Sequence, residues 1–106
     1  MNPKLDCVEK VLRKHINGDL VAVDRSEDFI EAEDMKLLES GIYLDVKLSY
    51  DLKRGLIITG ISSSKEIVIG EQPPLPTFKD GTEKYRNHPY IIQLLKKLNN
   101  DIQKTC

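Results

Sequence analysis

Hydrophobic and polar positions change period from block to block along the chain, and the period assigns each block to helix or strand. Leu5, Val8 and Leu12 recur at three- and four-residue spacing with Val11 and Ile16 on the flank, while Glu9, Lys10, Arg13 and Lys14 lie opposite, which predicts an amphipathic helix. Asn2 ahead of Pro3 provides its start, because proline at the first helical position forfeits an N–H that has no helical partner anyway. Asn17-Gly18 provides its stop. Leu20 to Val23 has two valines, is too short for a helix, and predicts a strand. Ser26 then reads as the cap of a second helix over Glu27 to Glu39, with Glu27 and Asp28 at the positive end of its dipole and Ile30, Glu33, Leu37 and Leu38 as a thin inward stripe. A strand near Phe29 to Ala32 followed by a shorter helix is the alternative for this block, and Ser40-Gly41 ends either version.

The pattern then switches to period two. Ile42, Leu44, Val46, Leu48 and Tyr50 alternate with Tyr43, Asp45, Lys47 and Ser49, the signature of a half-buried strand. Asp51 to Gly55 has hairpin length, Leu56 to Ser62 is a second β-rich run, Ser62 to Lys65 breaks the pattern, and Glu66 to Ile69 resumes it. Residues 42–69 therefore predict a β-meander. Residues 70–81 carry Pro73, Pro74 and Pro76 without periodicity and predict a stiff, extended connector. A last helix starts at Asn87 or His88 with Pro89 in its first turn, and Tyr90, Ile91, Leu94, Leu95, Leu98 and Ile102 form its apolar face. The expected fold is a single α+β domain over residues 1–106, its antiparallel sheet of three to four strands packed by the N-terminal and C-terminal helices in the order α-β-(α)-β-β-β-α.

Composition adds little to that picture, with 40% apolar and 31% charged residues, the balance of a globular chain able to build one core. No apolar run approaches the roughly 20 residues of a membrane span. The first residues interleave charges with apolar side chains, unlike a secretory signal, so the cytoplasm is the expected compartment. Cys7 and Cys106 would tie two termini rather than staple a loop-rich scaffold, and both are expected as free thiols.

Charge changes the picture more. The formal net charge is only −1, yet Asp19 to Asp51 holds ten acids against three bases, while the segments on either side are net positive. Metal chemistry is not expected, because two histidines and two cysteines have no zinc spacing, and Glu31, Glu33 and Asp34 lack the pattern of a calcium loop. The chain has no glycine-rich phosphate loop, and Ser62-x-x-Lys65 lies in a polar turn rather than at the start of a buried helix. Pro73-Pro74-Leu75-Pro76 matches polyproline ligands without the usual arginine. Lys79, Lys84, Arg86, Lys96, Lys97 and Lys104 form a modest basic patch that an acidic middle segment counteracts, so nucleic acid is not the expected partner.

These observations favour a non-enzymatic module, without cofactor, that engages a basic protein through acidic side chains. The expected contacts are Asp24, Glu27, Asp28, Glu31, Asp34 and Asp45, with Phe29 or Tyr43 as an aromatic anchor. Immunity proteins of nuclease-type toxins, inhibitors that cover a basic active site with carboxylates, offer an analogy of size and charge. Two alternatives stand beside this reading: a small hydrolase or nucleic-acid-processing enzyme using His88 with Tyr85, Arg86 or Tyr90, and an adaptor or oligomer subunit.

Overall fold

The computed structural model describes residues 2–64 and 87–106. Helix α1 (Pro3–His15) begins where Asn2 Oδ1 accepts from the backbone amides of Lys4 and Leu5, and it ends where the Ile16 amide donates to the Leu12 carbonyl. Four strands follow, β1 (Leu20–Arg25), β2 (Phe29–Leu37), β3 (Tyr43–Asp51) and β4 (Gly55–Ser64), and then helix α2 (Pro89–Thr105). The strands pair antiparallel in sequence order, β1-β2-β3-β4. Leu5, Val8, Val11 and Leu12 of α1 and Ile91, Leu94 and Leu98 of α2 are buried against Ile30, Ala32, Leu44, Val46, Leu48 and Ile61 of the sheet. Both helices therefore cover one sheet face, which leaves the other to be decided by the alternate residues of each strand.

The segment expected as a second helix is strand β2. Its inward positions are Ile30, Ala32 and Asp34, all buried, and its outward positions are Phe29, Glu31 and Glu33. An aspartate in an inward slot broke the apolar alternation, and Ile30, Glu33 and Leu37 gave a helical spacing by coincidence. Ser26 is no helix cap: its amide donates to the Phe29 carbonyl at 2.9 Å and closes the β1–β2 turn. The alternative, a strand near Phe29 to Ala32, is right in its first half, but the strand runs on where a helix was expected.

The hairpin of β3 and β4 matches the alternation. Asp51 Oδ1 accepts from the amides of Lys53 and Arg54, and Gly55 takes a φ of +72° that other residues rarely adopt. The expected break at Ser62 does not occur, because β4 continues to Ser64. The expected strand at Glu66 to Ile69 and the proline-rich connector at 70–81 lie outside the described residues. At α2, His88 is the N-cap and its Nδ1 accepts from the Tyr90 amide at 3.2 Å.

The expected free thiols are corrected. Cys7 and Cys106 form a disulfide, with their Cα atoms 5.8 Å apart. Distance along the sequence concealed this, since α1 and α2 pack on each other and bring the last residue beside the first helix. His15 Nε2 meets Asp101 Oδ2 at 2.7 Å across the same contact, so the helices run in opposite senses where they touch.

Candidate functional site

Strand parity decides where the ten acids of the middle segment go. Asp24 on β1, Glu31 and Glu33 on β2 and Asp45 on β3 all point to the face away from the helices. Phe29 and Tyr43 sit on that face at opposite ends, and Glu27 and Asp28 lie exposed in the β1–β2 turn. Asp34 alone of the expected contacts points inward and is 0% exposed, which removes it from any direct contact surface. Glu33, its neighbour of opposite parity, takes the outward place together with Lys47. Alternation read through β2 would have found Glu33, and the alternation of β3 already sets Lys47 on the same side as Asp45.

Other acids are committed elsewhere. Asp19 accepts from the Leu37 amide at 2.7 Å, and Asp51 is held by Arg54 at 2.7 Å. Among the described residues, Asp24, Glu27, Asp28 and Glu31 make no ion pair. Basic side chains on α1 pair nearby instead: Arg13 with Glu9 and Lys14 with Asp101. Arg25, on the inner side of β1, reaches Asp6 at 2.8 Å. Among the described residues, the bases beside the outer-face carboxylates are Lys47 and, at one end, Arg54. A groove of about 400 Å³ crosses this face, lined by Asp24, Glu31, Glu33, Lys47 and Thr59. At the turn end a cleft of about 580 Å³ is bordered by Phe29, Leu52, Asp28 and Glu31, with Phe29 37% and Leu52 52% exposed.

Burial raises two carboxyls, Asp45 strongly. Asp45 is only 6% exposed, and among the described residues its Oδ1 has no hydrogen-bond partner. Burial first, and then the hydrogen-bonded Glu33 carboxylate, push it up to about 7. Lys47 offsets part of this. On the other side of the sheet, burial raises Asp34, and the Tyr90 hydroxyl, donating to its Oδ2 at 2.5 Å, and the Gly18 amide offset part of the rise. Asp34 in turn helps burial to hold the Tyr90 hydroxyl well above the usual tyrosine range. This pair fastens α2 to β2.

Of the residues named for catalysis, His88 and Tyr90 are among the described residues and both are engaged in hydrogen bonds. Tyr85 and Arg86 lie outside the described residues, Nδ1 of His88 is engaged by a backbone amide, and Tyr90 donates to Asp34. Among the described residues no cluster of three His, Cys, Asp or Glu side chains is arranged to hold a metal ion. The described residues define an α+β fold, two helices on one face of a four-stranded antiparallel sheet, with Asp24, Glu31 and Glu33 on the other face. No protein-family model, curated protein or solved structure matches the chain.

Proposed function

We propose that the protein is a non-enzymatic binding module whose outer sheet face receives a basic protein partner. One observation carries the reading: Asp24 and Glu31, on neighbouring strands and directly opposite each other in register, are exposed on the face away from the helices and unpaired among the described residues. Like charges set side by side disfavour the isolated sheet. A cationic partner turns that repulsion into attraction and speeds encounter. Phe29 and the neighbouring Leu52 supply an apolar anchor at the rim, where carboxylates alone give steering but little burial. Nucleic acid is disfavoured at this face, because phosphates meet the same carboxylates.

A nuclease-type toxin with a basic active site is the partner class that best suits a small acidic module. The expected cytoplasmic setting loses one of its supports, since the Cys7–Cys106 disulfide is the state favoured in oxidising compartments. Among the described residues no helix is long and apolar enough to cross a membrane. The test is capture of the partner by the wild-type chain beside two charge reversals. Asp24→Lys with Glu31→Lys is expected to lose the partner, while Glu39→Lys, in the exposed β2–β3 loop, retains it. Equal capture by all three removes the proposal.

A further inference from the structure

Strand β2 carries Phe29, Glu31 and Glu33 in a row on the outer face, and a strand sets such neighbours about 7 Å apart. Phe29 stands at the end of the row, where with Leu52 and the buried Leu5 it walls the cleft of about 580 Å³ at the turn end. Glu31 belongs to both cavities: with Ser49 and Arg54 it borders that cleft and also the groove of about 400 Å³ across the sheet. The two therefore adjoin, and their walls change from apolar at Phe29 and Leu52 to anionic at Glu31 and Asp24 within one step along β2. Charges at the cleft divide by side as well. On the hairpin side Arg54 is tied to Asp51 at 2.7 Å and Lys53 is exposed. On the β2 side Asp28 and Glu31 make no ion pair among the described residues. Asp24 lies directly opposite Glu31 in register and doubles the negative charge there.

We propose that this junction recognises a pattern in the basic partner: an extended segment with an arginine and a large apolar residue two positions apart, the apolar side chain in the cleft against Phe29 and Leu52 and the arginine over Asp24 and Glu31. Spacing decides the pattern. Side chains two positions apart on an extended chain project to one side and lie about 7 Å from each other, the same step that separates Phe29 from Glu31. Arginine suits the anionic end, since its planar donors address two neighbouring carboxylates at once. The apolar end gains by burial, because Phe29 and Leu52 are exposed large side chains and an aliphatic group laid on them takes apolar surface of both molecules out of water. An acidic segment would meet Asp24, Asp28 and Glu31, and a basic segment without the apolar residue would leave Phe29 and Leu52 in water. This rests on the binding reading above and adds to it the sequence pattern that the face selects.

The experiment uses the full chain with its disulfide intact and two acetylated, amidated pentapeptides of identical composition and charge. One is Arg-Ser-Leu-Ser-Arg, with leucine two positions from each arginine; the other is Arg-Leu-Arg-Ser-Ser, with leucine next to both. Affinities are read from amide-shift titrations. The spaced peptide is expected to bind about tenfold more tightly, the effect that partial burial of one leucine side chain gives. Phe29→Ser and Leu52→Ser are each expected to bring it down to the level of the other peptide, and Asp24→Lys with Glu31→Lys is expected to lose both. Equal affinity of the two peptides for the wild type, a preference that survives both serine variants, or binding of neither peptide overturns the inference. So does undiminished binding of both peptides by the charge reversal. The docking reading is judged apart from these outcomes, by whether that same reversal still captures the partner. A free chain that sediments as a dimer and is split by Leu52→Ser assigns the cleft to a second copy and overturns the inference too.

Discussion

Replacing Tyr90 by Phe leaves the Asp34 carboxyl fully buried with its hydroxyl donor gone, and a buried polar group deprived of a partner costs about 1–3 kcal/mol. Urea unfolding of Tyr90→Phe is expected to register a loss of that size, with Asp34→Asn much milder because the amide keeps an acceptor for the hydroxyl. Gly18 answers to the same carboxyl. A methyl group there would meet Asp34 Oδ1 at 1.8 Å and the Met35 carbonyl at 2.6 Å. Backbone cannot swing aside as a side chain can, so Gly18→Ala is expected to destabilise by about 1–3 kcal/mol, as overpacking does, where an open site would be nearly neutral. Asp45 sets the pH dependence. Its folded carboxyl is raised to about 7, so the stability it confers is complete below the unfolded value of about 4 and is lost as pH rises through 7. Asp34, raised by burial, acts in the same direction. Asp51 and Asp101 act oppositely, held low by the Arg54 amide and side chain and by the Thr105 hydroxyl and His15, and their contribution fades only as acid protonates them. Melting temperature is expected to peak in mildly acidic buffer and to fall towards pH 8, and Asp45→Asn is expected to flatten that fall. An unchanged slope in the variant would assign the effect to other groups.

At the scale of elements, sequence and structure agree wherever one physical signal dominates. The Asn2-Pro3 cap, the alternation from Tyr43 to Tyr50 and the His88-Pro89 helix entrance were legible because caps and periods act locally. Strand β2 was not, because Asp34 occupies a slot where a buried apolar residue is expected; only the later arrival of Tyr90, 56 residues on, makes that slot tolerable. The same misreading placed Asp34 among the contacts and left out Glu33. Asp24, Phe29, Glu31, Tyr43 and Asp45 reached the outer face because a strand sends every second residue there. The link between α1 and α2 was also hidden, since Cys7 and Cys106 are 99 positions apart and meet only through helix packing. A crosslink closing so long a loop restricts the unfolded chain strongly, and its removal typically costs about 2–5 kcal/mol. Reduction, or Cys7→Ser with Cys106→Ser, is expected to lower the melting temperature, with the sheet unfolding together with the helices. A melting temperature unaffected by reductant would mean that the α1–α2 contact holds without the bond.

For the whole molecule the organising feature is separation of charge by sheet face. Among the described residues, the inner face carries the links of Arg25 with Asp6 and Asp34 with Tyr90, and both helices cover it. On the outer face Asp24, Glu31, Glu33 and Asp45 come from three neighbouring strands, with Lys47 as the base among them. The described carboxylates are thus gathered on one face, which the formal net charge of −1 does not show. If that face is the working surface, a basic ligand must find it rather than the helices. Amide chemical shifts of the isotopically labelled chain, followed while a hexa-arginine peptide is added as a basic ligand, test this most directly. The account predicts shifts at Asp24, Glu31, Glu33 and Lys47 that shrink with added salt and vanish in Asp24→Lys with Glu31→Lys. Shifts confined to α1 and α2, or a reversal variant that responds like the wild type, would contradict it.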